Sequence, residues 1–158
     1  MHDRWSSEAL MGKKIAILWY AREGRSSLQW LLRRGVEASS ITVLDKKELA
    51  EDLLRELEVL GVQVITGASY LQELELYDVI FRTPGVTTHI IETEIWPLSQ
   101  QIRDAFTSQT QVFFDLFGGV VIGVTGTKGK STTSSFISEM LKNAGKNVVL
   151  AGNVWKPV

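Results

Sequence analysis

The chain has 158 residues, 17 Lys+Arg against 18 Asp+Glu, a net charge of -1 and no cysteine. That length fits one compact domain and the start of a second. The charge balance excludes an overall electrostatic footprint for nucleic acid or an anionic membrane, and the lack of Cys excludes disulfide frameworks and thiolate metal sites. No apolar run reaches the roughly 20 residues that span a bilayer, and a reducing cytoplasm suits the composition.

Residues 1–11 read as a loose polar lead-in without a secretory apolar stretch, and Met11 is an alternative start. From Lys13 onward, short β-rich runs alternate with helical stretches, the pattern of parallel strands joined by helical crossovers. Strands are predicted at 15–19, 41–44, 62–66, 79–82, 111–114, 120–124 and 148–151. A helix at 26–34 turns Leu28, Leu31 and Leu32 inward and keeps Arg33 and Arg34 in its last turn, where cations suit the carbonyl end; Gly35 closes it. Another at 47–60 carries Leu49, Leu53, Leu57 and Leu60 on one stripe and ends at Gly61. The turn Phe117-Gly118-Gly119 separates a first domain, 12–118, from a second segment, 119–158.

The strongest chemical signal is the run Val124-Thr125-Gly126-Thr127-Lys128-Gly129-Lys130-Ser131-Thr132-Thr133, set between a predicted strand and a predicted helix. Glycines let successive backbone N–H groups converge on phosphate oxygens, and the start of the helix adds its positive end. Lys130 is placed to reach the β- and γ-phosphates, and the Ser131 hydroxyl to coordinate Mg2+. The Walker spacing wants glycine at position 124 and finds Val124, whereas Gly126, Gly129, Lys130 and Ser131 hold. The helix that follows shows one apolar face, Phe136, Ile137, Met140, Leu141 and Ala144, and stops at Gly145. Beyond Ser131 the only acid is Glu139, eight residues on and about 12 Å along the helix, too far to share a metal ion with Ser131. The sequence therefore carries half of an ATP site.

Two further turns follow strands. In 18–26 the positions of a G-x-G-x-x-G dinucleotide turn are Trp19, Ala21 and Gly24, so only the last glycine is present. Asp45, about 20 residues on, stands where an acid contacts a ribose or base, or else caps the next helix. Thr83-Pro84-Gly85-Val86 is a tight turn, and His89 reads as a surface residue at a helix start rather than a base.

Taken together, Arg22-Glu23-Gly24-Arg25-Ser26, Asp45, Thr83-Pro84-Gly85-Val86, the phosphate loop and Ala151-Gly152-Asn153-Val154 resemble the Mur ligases, in particular their D-glutamate-adding branch. That family also lacks the first Walker glycine. The resemblance implies a Rossmann-like α/β domain with helices on both faces of a parallel sheet, followed by the first βαβ unit of a P-loop ATPase domain. By the same resemblance Arg22 and Glu23 lie beside the diphosphate of a UDP-linked precursor, Asp45 and Lys46 beside the uracil, Thr83, Pro84 and Gly85 near the nucleotide, and Asn153 near the muramoyl group. Gly126, Thr127, Lys128, Gly129, Lys130, Ser131 and Thr132 hold ATP, with Lys130 catalytic and Ser131 on Mg2+.

The implied reaction forms an acyl phosphate on UDP-N-acetylmuramoyl-L-alanine, which D-glutamate then attacks, in a cytoplasmic monomer with no nucleic-acid or membrane partner. Trp19 and Ala21 depart from the family's nucleotide turn, and Trp155 stands where its Gly-Asn-Ile-Gly motif ends in glycine. The chain ends 28 residues after Lys130, so these 158 residues alone are expected to show no ligase turnover. The alternative is a non-catalytic module that binds a UDP-sugar or nucleotide; an NAD-dependent oxidoreductase rests on fold analogy alone.

Overall fold

A computed structural model describes residues 4–94 and 97–152. The chain divides into two compact units, Met1–Gly118 and Gly119–Val158. The first is built on five parallel strands, β1 Ile15–Leu18, β2 Ile41–Asp45, β3 Gln63–Thr66, β4 Val79–Arg82 and β5 Phe106–Thr107. Their order is β3-β2-β1-β4-β5, so the chain reverses its direction of travel across the sheet between β1 and β4. Leu18 pairs with Leu44 on one side and Arg82 on the other, which brings the carboxyl ends of β1, β2 and β4 level.

Because successive strand residues face opposite ways, β1 feeds two cores. Ile15 and Ile17 join Val43 and Phe81 beneath α1 Ser7–Leu10, α2 Arg22–Arg33, α3 Glu51–Leu60 and, after α4 Thr88–Glu94 and α5 Gln100–Ala105, α6 Gln109–Leu116, through Leu10, Leu28, Leu31, Leu57 and Val112. Ala16 and Leu18 join Leu44 and Ile80 on the other face, beneath α4 and α5, through Ile91 and Ile102. Covering both faces explains why the strands are near-continuous apolar runs rather than alternating ones.

Several elements differ from the sequence expectation. The predicted strand 111–114 is helix α6: the Ser108 hydroxyl caps it by accepting the Gln111 N–H at 3.1 Å, and Val112 is its buried residue. Val112, Phe113 and Phe114 have strand propensity, but Gln109, Val112, Phe113 and Leu116 carry the helical spacing, and the cap and packing decide. The helix predicted at 26–34 starts one turn earlier, so Arg22 to Ser26 are helical and the turn is confined to Trp19–Ala21. The helix predicted at 47–60 begins at Glu51; Leu57 is fully buried, Leu49 and Leu53 are partly covered, and Leu60 is exposed.

The described part of the lead-in is packed rather than loose. Trp5 and Leu10 are each 1% exposed, the Trp5 ring meets Trp30 and Phe81 at 6.4 and 6.1 Å, and its Nε1–H donates to Asp115 at 2.8 Å.

In the second unit, α7 Lys130–Asn143 forms as expected, but neither 120–124 nor 148–151 is a strand. A strand exists through its ladder, and these segments have no parallel partner to take their N–H and C=O groups. The apolar face foreseen for α7 stays open at Phe136 and Met140, which are 67% and 70% exposed.

Trp5→Ala should lower unfolding free energy by about 3–5 kcal/mol, as expected for deleting a buried indole from a core. A denaturant titration checks this; a loss within the error of the measurement would contradict the packing of the N-terminal helix.

Candidate functional site

In an open α/β sheet the crevice for a ligand forms outside the carboxyl ends of the strands, where the strand order reverses. Here that point lies between β1 and β4. Arg22 and Glu23 open α2, Asp45 ends β2 with Lys46 directly after it, and Thr83, Pro84 and Gly85 follow β4, so these seven predicted residues reach one edge of the sheet. Glu23, Thr83 and Pro84 line a cleft of about 370 Å³ with Arg82, Val86, Thr87, Ser108 and Thr110. Four of its polar members, Arg82, Thr87, Ser108 and Thr110, were not singled out in the sequence. Ser108 and Thr110 follow β5, where the expected strand 111–114 disguised the β5–α6 turn. A second cavity, about 340 Å³, lies between α2 and α6 against Trp30, Phe81, Phe113 and Phe117; it is mainly apolar and takes in none of the predicted site residues.

The first turn is set by Trp19. Its N–H donates to the Leu44 carbonyl at 2.8 Å, the last bond of the β1–β2 ladder, and its φ is +64°. A side chain in that left-handed region costs about 1–2 kcal/mol. The carbonyl of Trp19 then accepts the Ala21 N–H at 3.0 Å and points at the start of α2, where a Cβ on Gly24 would lie 2.6 Å from it. Gly24 is thus required by close approach. The indole of Trp19 lies against the Thr83-Pro84-Gly85 turn: a Cβ on Gly85 would meet two of its ring carbons at 2.7 and 2.8 Å. Its Nε1 is buried and outside good hydrogen-bond geometry, with the Tyr70 hydroxyl as its polar neighbour. α2 has no side-chain cap at Ala21, so its first N–H groups form the positive end of a helix dipole.

On the β2 side the polar groups engage one another. Asp45 accepts the Tyr20 N–H at 2.8 Å through one oxygen and the Lys47 N–H at 3.0 Å through the other, so it closes the turn after β2 and does not cap α3. Lys46 pairs with Glu94 at 2.8 Å, and Glu94 also accepts the Tyr70 hydroxyl at 2.9 Å. The Lys46 ammonium, then the Tyr70 hydroxyl, hold the Glu94 carboxyl below its usual range. Burial, then the Glu94 carboxylate, push the Tyr70 hydroxyl up to about 12. His89 is exposed in the first turn of α4.

In the second unit, Gly126 and Gly129 have φ of +145° and +78°, and Gly129 stands directly before α7 without a side-chain cap. Lys130 Nζ folds back onto the carbonyls of Gly126 and Thr127. The loop 125–132 is exposed, so its N–H groups, the Lys130 ammonium and the Ser131 hydroxyl face open space. Asn153 lies outside the described residues. No group of three or more potential metal ligands of the His, Cys, Asp or Glu type occurs among the described residues.

Comparison with known proteins adds a second line of observation. A UDP-N-acetylmuramoylalanine–D-glutamate ligase of Symbiobacterium thermophilum is 32% identical over 146 residues, and one of Clostridium botulinum is 32% identical over 148; each alignment takes in 92% of this chain. Over that stretch the chain is similar to ligases of that name. It spans about a third of the length of these curated relatives, 31% in each case. No protein-family model matches it. The alignments extend over most of both units. No helix among the described residues is long and apolar enough to cross a membrane.

The two glycines are expected to respond differently to substitution. Gly24→Ala drives a methyl into a backbone carbonyl and should cost about 1–3 kcal/mol whether residue 19 is Trp or Ala. Gly85→Ala meets only the ring, so its cost should vanish in a Trp19→Ala background. Unfolding titrations of the three single and two double variants measure this; equal behaviour of the two glycines would contradict the geometry.

Proposed function

We propose that this chain is the N-terminal portion of an ATP-dependent ligase that adds D-glutamate to UDP-N-acetylmuramoyl-L-alanine in peptidoglycan biosynthesis, working as a cytoplasmic monomer. The first unit holds the UDP end of the precursor at the carboxyl edge of the sheet. The Gly119–Val158 unit holds the terminal phosphates of ATP. The observation that carries this reading is the loop at Gly126–Lys130: two glycines in positive φ, an uncapped helix start and a lysine folded over the loop. It stands in a chain that aligns over 92% of its length with ligases of that name.

The residues present fit a triphosphate. The first N–H groups of α7 lack intrahelical partners, and the helix dipole favours an anion there. Lys130 Nζ, now held by two carbonyls, exchanges them for phosphate oxygens and neutralises charge that develops on transfer. Gly126, Thr127, Lys128 and Gly129 supply the backbone cradle, Thr132 closes it, and the Ser131 hydroxyl is the protein oxygen that would hold Mg2+. ATP, when bound, supplies the phosphoryl group that activates a substrate carboxylate. In the first unit, Arg22, Glu23 and the uncapped start of α2 stand at the diphosphate. Thr83, Pro84 and Gly85 form the wall opposite, and Asp45 and Lys46 lie on the base side. Asn153 is assigned to the muramoyl group on the motif alone.

Titration calorimetry with ATP and Mg2+ tests the loop. The chain should bind ATP, and Lys130→Ala should weaken binding at least about tenfold, or 1.4 kcal/mol. Absence of ATP binding by the unaltered chain, or equal binding by the variant, would contradict the assignment.

A further inference from the structure

The carboxyl edge of the first unit is unevenly open. On the β4 and β5 side lies the cleft lined by Glu23, Thr83, Ser108 and Thr110. On the β2 side the ground is already occupied. Trp19 sits half-buried with its ring on Gly85, packed against the cluster that contains Leu18, Leu44 and Tyr70. Asp45 spends both oxygens on backbone N–H groups, and Lys46, Glu94 and Tyr70 bind one another. A nucleotide laid across such an edge sends its base and ribose towards the acid at the end of β2, over the first turn. In this chain that path runs through the Trp19 ring.

Three features of Trp19 mark it as an occupant rather than a core residue. Its backbone adopts the left-handed conformation that glycine adopts freely. Its Nε1 is buried outside good hydrogen-bond geometry, beside a Tyr70 hydroxyl that already donates to Glu94, so the slot matches an indole poorly. Its ring presses on the bare Cα of Gly85, where a Cβ would lie 2.7 Å from the nearest ring carbon.

We infer that Trp19 is a built-in plug of the base side of the crevice: its indole takes the slot between Gly85 and the end of β2 that a uracil ring would fill, and a uridine nucleotide enters only when the indole leaves. This rests on the reading of the first unit as the UDP-binding part of the chain. It makes Trp19 a specificity-determining residue that lowers affinity by the fraction of time the slot is closed. Removing the indole also frees the left-handed turn from its side chain, so Trp19→Gly suits the backbone while emptying the slot.

The experiment is titration calorimetry of the full chain with uridine 5′-diphosphate, on the unaltered protein, Trp19→Gly and Trp19→Phe, each first shown to be folded by its circular dichroism and cooperative unfolding. Trp19→Gly should bind at least about tenfold more tightly than the unaltered chain, with Trp19→Phe between them, because the smaller ring fills the slot less well. Should Trp19→Gly fail to fold, Trp19→Phe alone must still bind more tightly. Equal affinity in all three would overturn the plug and leave the UDP-binding reading standing. Weaker binding by both variants would overturn it too, and would make the indole a stacking platform for the base. No binding by any of them at millimolar concentration would overturn both the plug and the reading of the first unit, while the ATP loop would be unaffected.

Discussion

The close approach of one residue to two glycines governs the carboxyl edge of the first unit. Trp19 turns its carbonyl onto Gly24 and its ring onto Gly85, and so fixes where α2 begins and how near the β4 turn comes to β1. A parallel sheet can bring the ends of β1, β2 and β4 level, but it leaves open what fills the gap where they diverge. In a glycine-rich turn, backbone and ligand fill it. Here a side chain does, against a positive φ and a poorly paired indole N–H.

The groups proposed to bind anions are assembled to different degrees in the two units. The loop before α7 has what a phosphate needs locally: glycine at the turns, an exposed helix start, and a lysine whose present partners are only carbonyls. It depends on no distant contact, which is why it forms although 120–124 and 148–151 stay out of any ladder. The first unit supplies a scaffold of long-range pairings instead, and its polar edge is divided. One half is an open cleft with Thr83 and Ser108, the other a closed set of mutual bonds among Asp45, Lys46, Glu94 and Tyr70.

Much of this was legible in the sequence where the signal is local. The strands at 15–18, 41–45 and 79–82 announce themselves as buried, mainly apolar runs, the one at 63–66 by its β-branched residues, and Gly35 and Gly61 close helices as their positions foretell. The phosphate loop is a contiguous motif, so its geometry is written in ten residues. Legibility fails where tertiary packing decides. Val112, Phe113 and Phe114 look like a strand until Ser108 caps a helix through them, and that error hid Ser108 and Thr110 as cleft residues. Trp5 looks like part of a polar lead-in, because its partners Trp30, Phe81 and Asp115 lie 25 to 110 residues away. Trp19 is visible as a missing glycine, but only the fold shows that its ring lands on Gly85.

The central claim is that the Trp19 indole occupies the crevice of the free chain and keeps its Nε1 away from solvent. Hydrogen exchange of the indole N–H, followed by NMR and assigned through the one signal lost in Trp19→Phe, measures that directly. The account predicts exchange slowed at least about tenfold relative to an exposed indole, since Nε1 reaches solvent only when the turn opens. Exchange at the rate of a free indole would contradict it.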